Sequence, residues 1–359
     1  MKIGILTFHS ANNYGAALQA YALQTAISQT VTGSEVEIID YRCKGVEKQR
    51  SLKKLIKSSG FVSAVLHYPF TKNRIRKIDR FCHENMKLSN YIGTVEELKT
   101  AAEKYDRIVS GSDQVWNRNW TGNEDTYLQN FHEHNEKKVS YAVSFGISEL
   151  PQEWKADYEN YLKQFSWLSV REESGKKLLQ NEFGLNARVN IDPTLLLTSE
   201  QWNKVAAKTN VKKLYVLVYM VPYQKSVAAY ARELAEKNGL EVVTVCKSMK
   251  KNSGIYKGTA AVEEIIGLFR NAEYVVTNSF HGTAFSVIYH KKFSIEFKNP
   301  RGYNLRSKNL LLECGILKDD LPQNSGIIDL FDTDWKDAEE KIEAQRNVSR
   351  EYFKEFTLL

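Results

Sequence analysis

The chain has 359 residues, of which 42% are hydrophobic and 26% charged, and its formal net charge is +7. This length exceeds what one hydrophobic core usually serves, so two domains are expected in a globular protein of ordinary composition. No apolar run is long enough to cross a bilayer. The first residues hold one Lys, then a strand-like segment without a small-residue cleavage site, so a cytoplasmic location is expected.

The first half of the chain alternates strand-like and helical patterns. Strand-like runs cover residues 3–8, 36–41, 107–110, 139–143, 167–170 and 187–191, and helical patterns cover 15–28, 95–104, 154–165 and 174–182. Such alternation is typical of a mainly parallel sheet with helices on both faces.

A basic segment interrupts this alternation between Arg42 and Arg80. It holds twelve Lys or Arg residues against Glu47 and Asp79, a local excess of ten. Apolar residues lie between them, which predicts a basic amphipathic helix or helical pair that fits a peripheral contact with an anionic membrane through 42–80. The alternative is a helix that packs on its own domain and exposes its basic side to water. No base-reading motif accompanies the segment, so nucleic acid is a poorer explanation.

The alternation restarts after a polar interval at 198–213. Strand-like runs cover 214–220, 241–246, 274–277 and 293–297, and helical patterns cover 225–238, 262–271 and 280–290, with Gly239 as a stop signal. We therefore predict two doubly wound α/β domains in series, at 1–195 and 196–359.

Metal and disulfide chemistry find little support in the sequence. The four cysteines are scattered without paired spacing, which predicts reduced thiols rather than a disulfide framework or a metal site. His132 and His134 lie in a polar run that is more typical of a solvated loop than of a ligand set. No structural metal is expected.

The segment from Tyr274 to Thr283 predicts a strand, a tight turn and a helix. A helix N-terminus presents backbone N–H groups and the positive end of its dipole, so this turn is suited to an anion. Ser279 is a candidate cap, Gly282 allows a ligand to approach the backbone, and His281 lies in the first turn. The alternative is a surface histidine on a capped helix.

Six segments follow one another in order from near residue 3 to about residue 315. They are Gly4 to His9 with Asn12 to Ala16, Gly111 to Asn117, Val170 to Ser174, Asp192 to Leu196, Asn278 to Gly282, and Asn304 to Arg306 with Leu310 and Leu311. In this order they resemble the signatures of the polysaccharide pyruvyl transferase family. The resemblance implies the GT-B arrangement, two Rossmann-like domains that face each other across a cleft. It also implies transfer of a pyruvyl group from phosphoenolpyruvate to two hydroxyls of a sugar, with no cofactor.

The donor carries a carboxylate and a phosphate, which arginine binds well because its planar group bonds two oxygens at once. We assign the donor to the C-terminal domain, with Arg171 as a further ligand. His281 is the candidate for acid and base catalysis. The donor-binding candidates are Arg171, Arg306, Asn278, Ser279, Gly282 and Lys298. The alternative for the two arginines is a surface salt bridge to Glu172, Glu173 or Glu313.

The acceptor is assigned to the N-terminal domain. Asparagine amides and aromatic rings suit sugar hydroxyls and ring faces, and the candidates are Asn12, Asn13, Tyr14, Gln114 and Trp116. Asp113 is the candidate base for the attacking hydroxyl. The competing interpretation is that Asp113 and Asn117 only cap turns and that Trp116 fills the core.

Three classes of function remain at this point. The first is a pyruvyl transferase that acts on a cell-envelope or secreted polysaccharide or on its lipid-linked precursor. The second is a nucleotide-sugar-dependent glycosyltransferase of the same fold, for which Glu263 and Glu264 are poor ribose ligands because they lie within a helical pattern. The third is a non-catalytic glycan-binding protein, which the joint presence of His281, Arg171 and Arg306 argues against.

Overall fold

The computed structural model describes residues 1–53, 56, 61–147, 149–247, 254–297, 304–318 and 326–358. It divides into two compact units. The first unit comprises Met1–Leu196 with Gln345–Leu359, and the second comprises Leu197–Ala344. The boundary near residue 196 lies beside the expected one, whereas the return of the C-terminal residues to the first unit was not anticipated.

The first unit contains a six-stranded parallel sheet in the order β2-β1-β3-β4-β5-β6. The central strands β3 and β4 are buried along their whole length, as expected of a sheet covered on both faces. The strands are β1 Lys2–Leu6, β2 Glu35–Ile38, β3 Arg107–Asp113, β4 Lys138–Val143, β5 Ser169–Val170 and β6 Arg188–Val189.

Eight α-helices connect or follow these strands in the described part of residues 1–196, besides 3-10 turns at Thr126–Leu128 and Asn135–Lys137. They are α1 Tyr14–Thr30, α2 Lys44–Arg50, α3 Phe61–Asn85, α4 Val95–Ala102, α5 Arg118–Thr121, α6 Gln152–Leu162, α7 Glu173–Phe183 and α8 Pro193–Leu196. The basic segment therefore forms helices, as predicted. One side of α3 packs inward through Ile75, Ile78 and Phe81, which recur at helical spacing and are buried.

The second unit has a six-stranded sheet in the order β12-β11-β10-β7-β8-β9, and among its described strands only β12 runs antiparallel. The strands are β7 Tyr215–Met220, β8 Glu241–Cys246, β9 Ile255–Tyr256, β10 Tyr274–Thr277, β11 Lys292–Phe297 and β12 Gly326–Leu330. The helices are α9 Ser199–Asn203, α10 Lys225–Asn238, α11 Val262–Asn271, α12 Phe280–Ile288 and α13 Leu305–Glu313. Gly239 ends α10 in the left-handed conformation, which confirms the predicted stop signal.

The last helix, α14 (Trp335–Thr357), ends in the first unit. The Arg346 guanidinium donates to the Leu195 carbonyl at 2.7 Å, and the Tyr352 hydroxyl donates to the Ser140 carbonyl at 2.9 Å. An amphipathic pattern shows that a helix packs on a core but not on which core, so the sequence did not indicate this return.

No helix in the described ranges is both long and apolar enough to span a bilayer.

Candidate functional site

The helix that carries His281 begins directly after strand β10. The strand ends at Thr277, Ser279 occupies the N-cap position, and α12 begins at Phe280, as the sequence predicted. This point lies at the carboxyl edge of the sheet, where open α/β folds bind ligands. His281 lies in the first turn of α12 with only 6% of its surface exposed, close to the positive end of the helix dipole.

Gly282 has a packing role in this turn. A Cβ atom at this position would lie 2.1 Å from Thr277 Oγ1, whose hydroxyl donates to the Tyr219 carbonyl at 2.7 Å. The same oxygen accepts the Ser279 N–H at 3.0 Å. Glycine is therefore needed for the start of α12 to lie against the end of β10. Only ligand approach was expected at Gly282 from the sequence, and this packing role was not predicted.

Ser279 does not cap α12 through its side chain, contrary to the expectation from sequence. Its carbonyl instead accepts the Thr283 N–H at 2.9 Å and the Thr283 hydroxyl at 3.1 Å. Donor contacts by Ser279 and Gly282 stay predictions.

Asn278 fixes the loop that follows β7. Its Oδ1 accepts the Val221 N–H at 2.9 Å, and its Nδ2 donates to the Pro222 carbonyl at 2.9 Å. Both ends of the amide thus hold neighbouring backbone beside the His281 turn. This arrangement gives Asn278 a positioning role, and direct contact with the donor stays a prediction.

Arg306 approaches the His281 turn. Its guanidinium carbon lies 5.5 Å from the Phe280 ring centroid, and that centroid lies 5.2 Å from the centroid of the imidazole. Asn304 donates to the Glu296 carbonyl at 2.9 Å, which ties the start of α13 to strand β11. An imidazole and a guanidinium therefore share one carboxyl edge. Lys298 lies outside the described residues.

Asp113 and Arg171 lie at the carboxyl edge of the first sheet. The register pairs Asp113 with Val143, and Val143 with Val170, so the ends of β3, β4 and β5 are level. Two strand spacings separate Asp113 from the Arg171 backbone, about 10 Å. Asp113 has a φ of 67°, in the left-handed region, and its Oδ1 accepts the Gln114 N–H at 2.9 Å.

Arg171 is a buried cation surrounded by carboxylates of its own unit. Its Nε donates to Glu172 Oε1 at 2.8 Å and its Nη1 to Asp192 Oδ2 at 2.7 Å, and its side chain is 4% exposed. Burial alone would lower the pKa of Arg171, but Glu172, Asp192 and Asp113 raise it above its usual value. Arg171 therefore forms a salt bridge to Glu172, as the alternative interpretation proposed, but this salt bridge is buried and not on the surface. A donor-binding role stays a prediction that this pairing does not support.

The predicted acceptor residues before α1 have structural partners. Asn12 Oδ1 accepts the Arg74 Nε–H at 2.8 Å, and Asn13 caps α1 by accepting the Gly15 N–H at 3.3 Å. Tyr14 is the first residue of the helix and is buried. These contacts explain the polar loop without a ligand, so an acceptor role for this loop stays a prediction.

Trp116 lies in the core. It is 1% exposed, donates its indole N–H to the Tyr127 carbonyl at 3.0 Å, and packs against Phe145 and Phe165. Trp116 therefore fills the core, as the competing interpretation proposed, and this position does not support a stacking contact with an acceptor. A residue that the sequence did not single out, Trp120, stands exposed nearby.

The first sheet also has a buried His–Asp pair near its carboxyl edge, which was not predicted from the sequence. His9 Nε2 lies 2.9 Å from Asp40 Oδ1, and both side chains are almost fully buried. Burial would raise the pKa of Asp40, but His9 and Arg42 beside it hold that pKa below its usual range. His9 follows strand β1 and Asp40 follows strand β2. Their positions after strands were the only feature of the sequence that could have indicated this pair.

The family comparison distinguishes among the classes of function left open above. The family model described as polysaccharide pyruvyl transferase matches residues 13–294, well over half of the chain. The chain belongs to the polysaccharide pyruvyl transferase family. No curated protein matches it. Because this is a family of transferases, the protein is a transferase.

Solved structures agree on the fold of this family member. The UDP-GlcNAc 2-epimerase from Neisseria meningitidis, bound to UDP-GlcNAc, is 11% identical with a TM-score of 0.50, covering 100% of this chain and 95% of that chain. A putative UDP-N-acetylglucosamine 2-epimerase from Listeria monocytogenes is 10% identical with a TM-score of 0.50, covering 99% and 90%. At such identity the similarity shows the fold alone, a two-domain α/β fold of GT-B type.

The matched range of the pyruvyl transferase family covers most of the candidate residues. It includes Asp113, Arg171 and the His281 turn, whereas Asn12, Lys298 and Arg306 lie outside it. The donor-binding prediction for Arg306 therefore rests on its place beside Phe280 and not on the family match.

Proposed function

We propose that the protein transfers the pyruvyl group of phosphoenolpyruvate to two hydroxyls of one sugar in a glycan or a lipid-linked glycan precursor. The product is a cyclic ketal, and phosphate is released. The observation that carries this proposal is the grouping of His281 and Arg306 at the start of α12, in a member of the pyruvyl transferase family.

The donor suits this grouping because it carries two anionic groups. Arg306 offers a permanently charged, planar group that can bond two oxygens of a carboxylate or phosphate. The N-terminus of α12 adds the positive end of its dipole. A bound anion favours the protonated form of the neighbouring His281 imidazole, which prepares it to act as an acid.

The reaction proceeds in two stages. One sugar hydroxyl adds to the carbon that bears the phosphate ester while a proton is delivered to the methylene carbon, which becomes a methyl group. The carbon–oxygen bond to phosphate then breaks, the second hydroxyl bonds to the same carbon, and its proton is lost. His281 serves as the acid in this scheme, either toward the methylene carbon or toward the departing phosphate.

The acceptor is assigned to the first unit, with Asp113 as base for the attacking hydroxyl. Support comes from its place at the end of β3 and from its left-handed backbone, a conformation that costs free energy and clusters at functional sites. Arg171 is not given a donor contact. Its role is to balance the charges of Glu172, Asp192 and Asp113.

Peripheral contact with the inner face of the cell membrane is part of the proposal. Helix α3 carries an exposed stripe at helical spacing, which begins with Val65 and Pro69 and continues with Lys72, Arg76 and Arg80. Phe70 stands beside it, and Val65 and Phe70 are 47% and 43% exposed. Apolar residues followed by cations fit the interface of an anionic bilayer, where a lipid-linked acceptor would be presented.

Vesicle sedimentation tests this contact. The protein should bind vesicles that contain phosphatidylglycerol, and binding should weaken as salt is added. A Val65→Ser/Phe70→Ser variant should bind much less, while Leu214→Ser, which alters an exposed apolar residue of the second unit, should bind normally. Equal binding by all three proteins would remove the assignment to α3.

Thermal stabilisation tests the choice of donor. A ligand that binds the native state raises the melting temperature by mass action, so phosphoenolpyruvate should raise it and nucleotide sugars should not. Arg306→Met should abolish the shift. Stabilisation by nucleotide sugars alone would favour the glycosyltransferase of the same fold.

A further inference from the structure

Trp120 is a solvent-exposed aromatic residue at the carboxyl edge of the first sheet. It lies in the short helix α5, which follows β3, and 45% of its surface is exposed. Trp116, four residues earlier and outside the helix, is 1% exposed. The segment between β3 and α5 thus places one indole in the core and leaves another in water.

The exposed ring is held in place. Its Nε1 donates to Gln114 Oε1 at 2.9 Å. Gln114 in turn lies against Gly146, where a Cβ atom would come within 2.0 Å of Gln114 Oε1. The Trp120 backbone is fixed as well, because a Cβ atom on Gly45 of α2 would lie 1.8 Å from the Trp120 carbonyl oxygen. A ring fixed in this way loses little conformational entropy when a ligand binds to it.

Gln114 also connects the Trp120 ring to Asp113, the candidate base. The Gln114 N–H donates to Asp113 Oδ1, so base, amide and indole follow one another at the edge of the sheet. Gln114 accepts from Trp120 through its oxygen, and in the described part of the chain its amide nitrogen has no hydrogen-bond acceptor. The amide N–H groups can therefore donate to a hydroxyl beside the ring.

We propose that Trp120 is the platform on which the acceptor pyranose stacks, with the Gln114 amide donating to one of its hydroxyls. A pyranose has a face of C–H groups and a rim of hydroxyls, and it matches a flat apolar ring bordered by amide donors. The polar neighbours Asn119, Arg118 and Gln114 make a protein partner a poorer match, because such interfaces need a larger apolar patch. The naming of this sugar as the acceptor rests on the proposed function; its binding to Trp120 does not.

Saturation-transfer NMR with methyl pyranosides of glucose, galactose and mannose, without phosphoenolpyruvate, tests the platform. At least one pyranoside should bind the unaltered protein. Trp120→Ala should weaken its binding about tenfold, and Trp120→Phe should retain most of it. The matched control is Tyr91→Ala, which removes an aromatic residue that is 58% exposed and should leave binding unchanged.

The outcomes separate this inference from the proposed function. Pyranoside binding that depends on Trp120, in a protein that does not consume phosphoenolpyruvate, would sustain the platform and end the pyruvyl transfer proposal. Unchanged binding in Trp120→Ala, or no binding of any pyranoside by the unaltered protein, overturns the platform. A melting temperature of Trp120→Ala close to that of the unaltered protein would show that the variant is folded.

Discussion

The carboxyl edges of the two sheets belong to the same kind of α/β fold but bring different charged groups together. The edge in the second unit groups an imidazole with a guanidinium, His281 and Arg306, next to the start of α12. The edge in the first unit surrounds one guanidinium, Arg171, with carboxylates. Arg171 thus has counter-ions within its own unit, whereas Arg306 is the arginine for which we propose contact with the donor.

The largest effect is expected at the edge of the second unit. His281→Ala should lower turnover with phosphoenolpyruvate about 10²- to 10⁴-fold, because it removes the proposed acid. Phosphate release and ketal formation measure this loss. His290→Ala, which alters a half-exposed histidine just beyond the end of the same helix, should retain activity. Near-full turnover by His281→Ala would remove the catalytic assignment.

The two arginines should separate stability from binding. Arg171→Met should lower the free energy of unfolding by about 3–5 kcal/mol, because it leaves Glu172 and Asp192 buried without their cation. Arg306→Met should change stability less and raise the KM for phosphoenolpyruvate. Denaturant unfolding and steady-state kinetics measure the two effects. A stable Arg171→Met protein with weakened donor binding would return Arg171 to the donor site.

Asp113→Asn should affect turnover and not donor affinity. If Asp113 accepts the proton of the attacking hydroxyl, its amide counterpart should lower turnover about 10²-fold. Stabilisation by phosphoenolpyruvate should be unchanged, because Asp113 belongs to the acceptor side. Unchanged turnover in a folded variant would leave Asp113 a turn residue only.

The smallest effect concerns the His9–Asp40 pair. Asp40→Asn should lower the free energy of unfolding by about 1–3 kcal/mol at neutral pH. Because the folded protein holds the pKa of Asp40 low, the carboxylate stabilises the fold above its unfolded pKa of about 3.9 and loses this contribution as pH falls. The difference between the two proteins should therefore shrink below about pH 4. A difference that does not change with pH would exclude the ionic contribution.

Much of the fold was predictable because its strands are apolar runs bounded by turn signals. The bounds of α10, β8, α11 and β10 match the prediction residue for residue. Strand β9 has two residues, too few for a periodic pattern, and β12 pairs antiparallel at the edge of the sheet. The return of α14 to the first unit depends on contacts such as Arg346 with Leu195, which no local pattern encodes.

The candidate site was predictable in position more than in side-chain role. The start of α12 follows from strand–turn–helix spacing, and Arg306 was chosen as a candidate through the family resemblance. The pairing of Arg171 with Asp192, 21 residues away, depends on the level ends of neighbouring strands. The choice between Trp116 and Trp120 depends on tertiary packing, since both lie in one short polar segment after β3.

Pyruvyl transfer itself is tested most directly with phosphoenolpyruvate labelled with carbon-13 at C2. The protein is incubated with this donor and a panel of glycan and lipid-linked glycan precursors, and the products are followed by NMR. The label should appear as a ketal carbon bonded to two sugar oxygens, with an equal amount of phosphate released. Label that stays in phosphoenolpyruvate while a nucleotide sugar is consumed would contradict the proposed reaction.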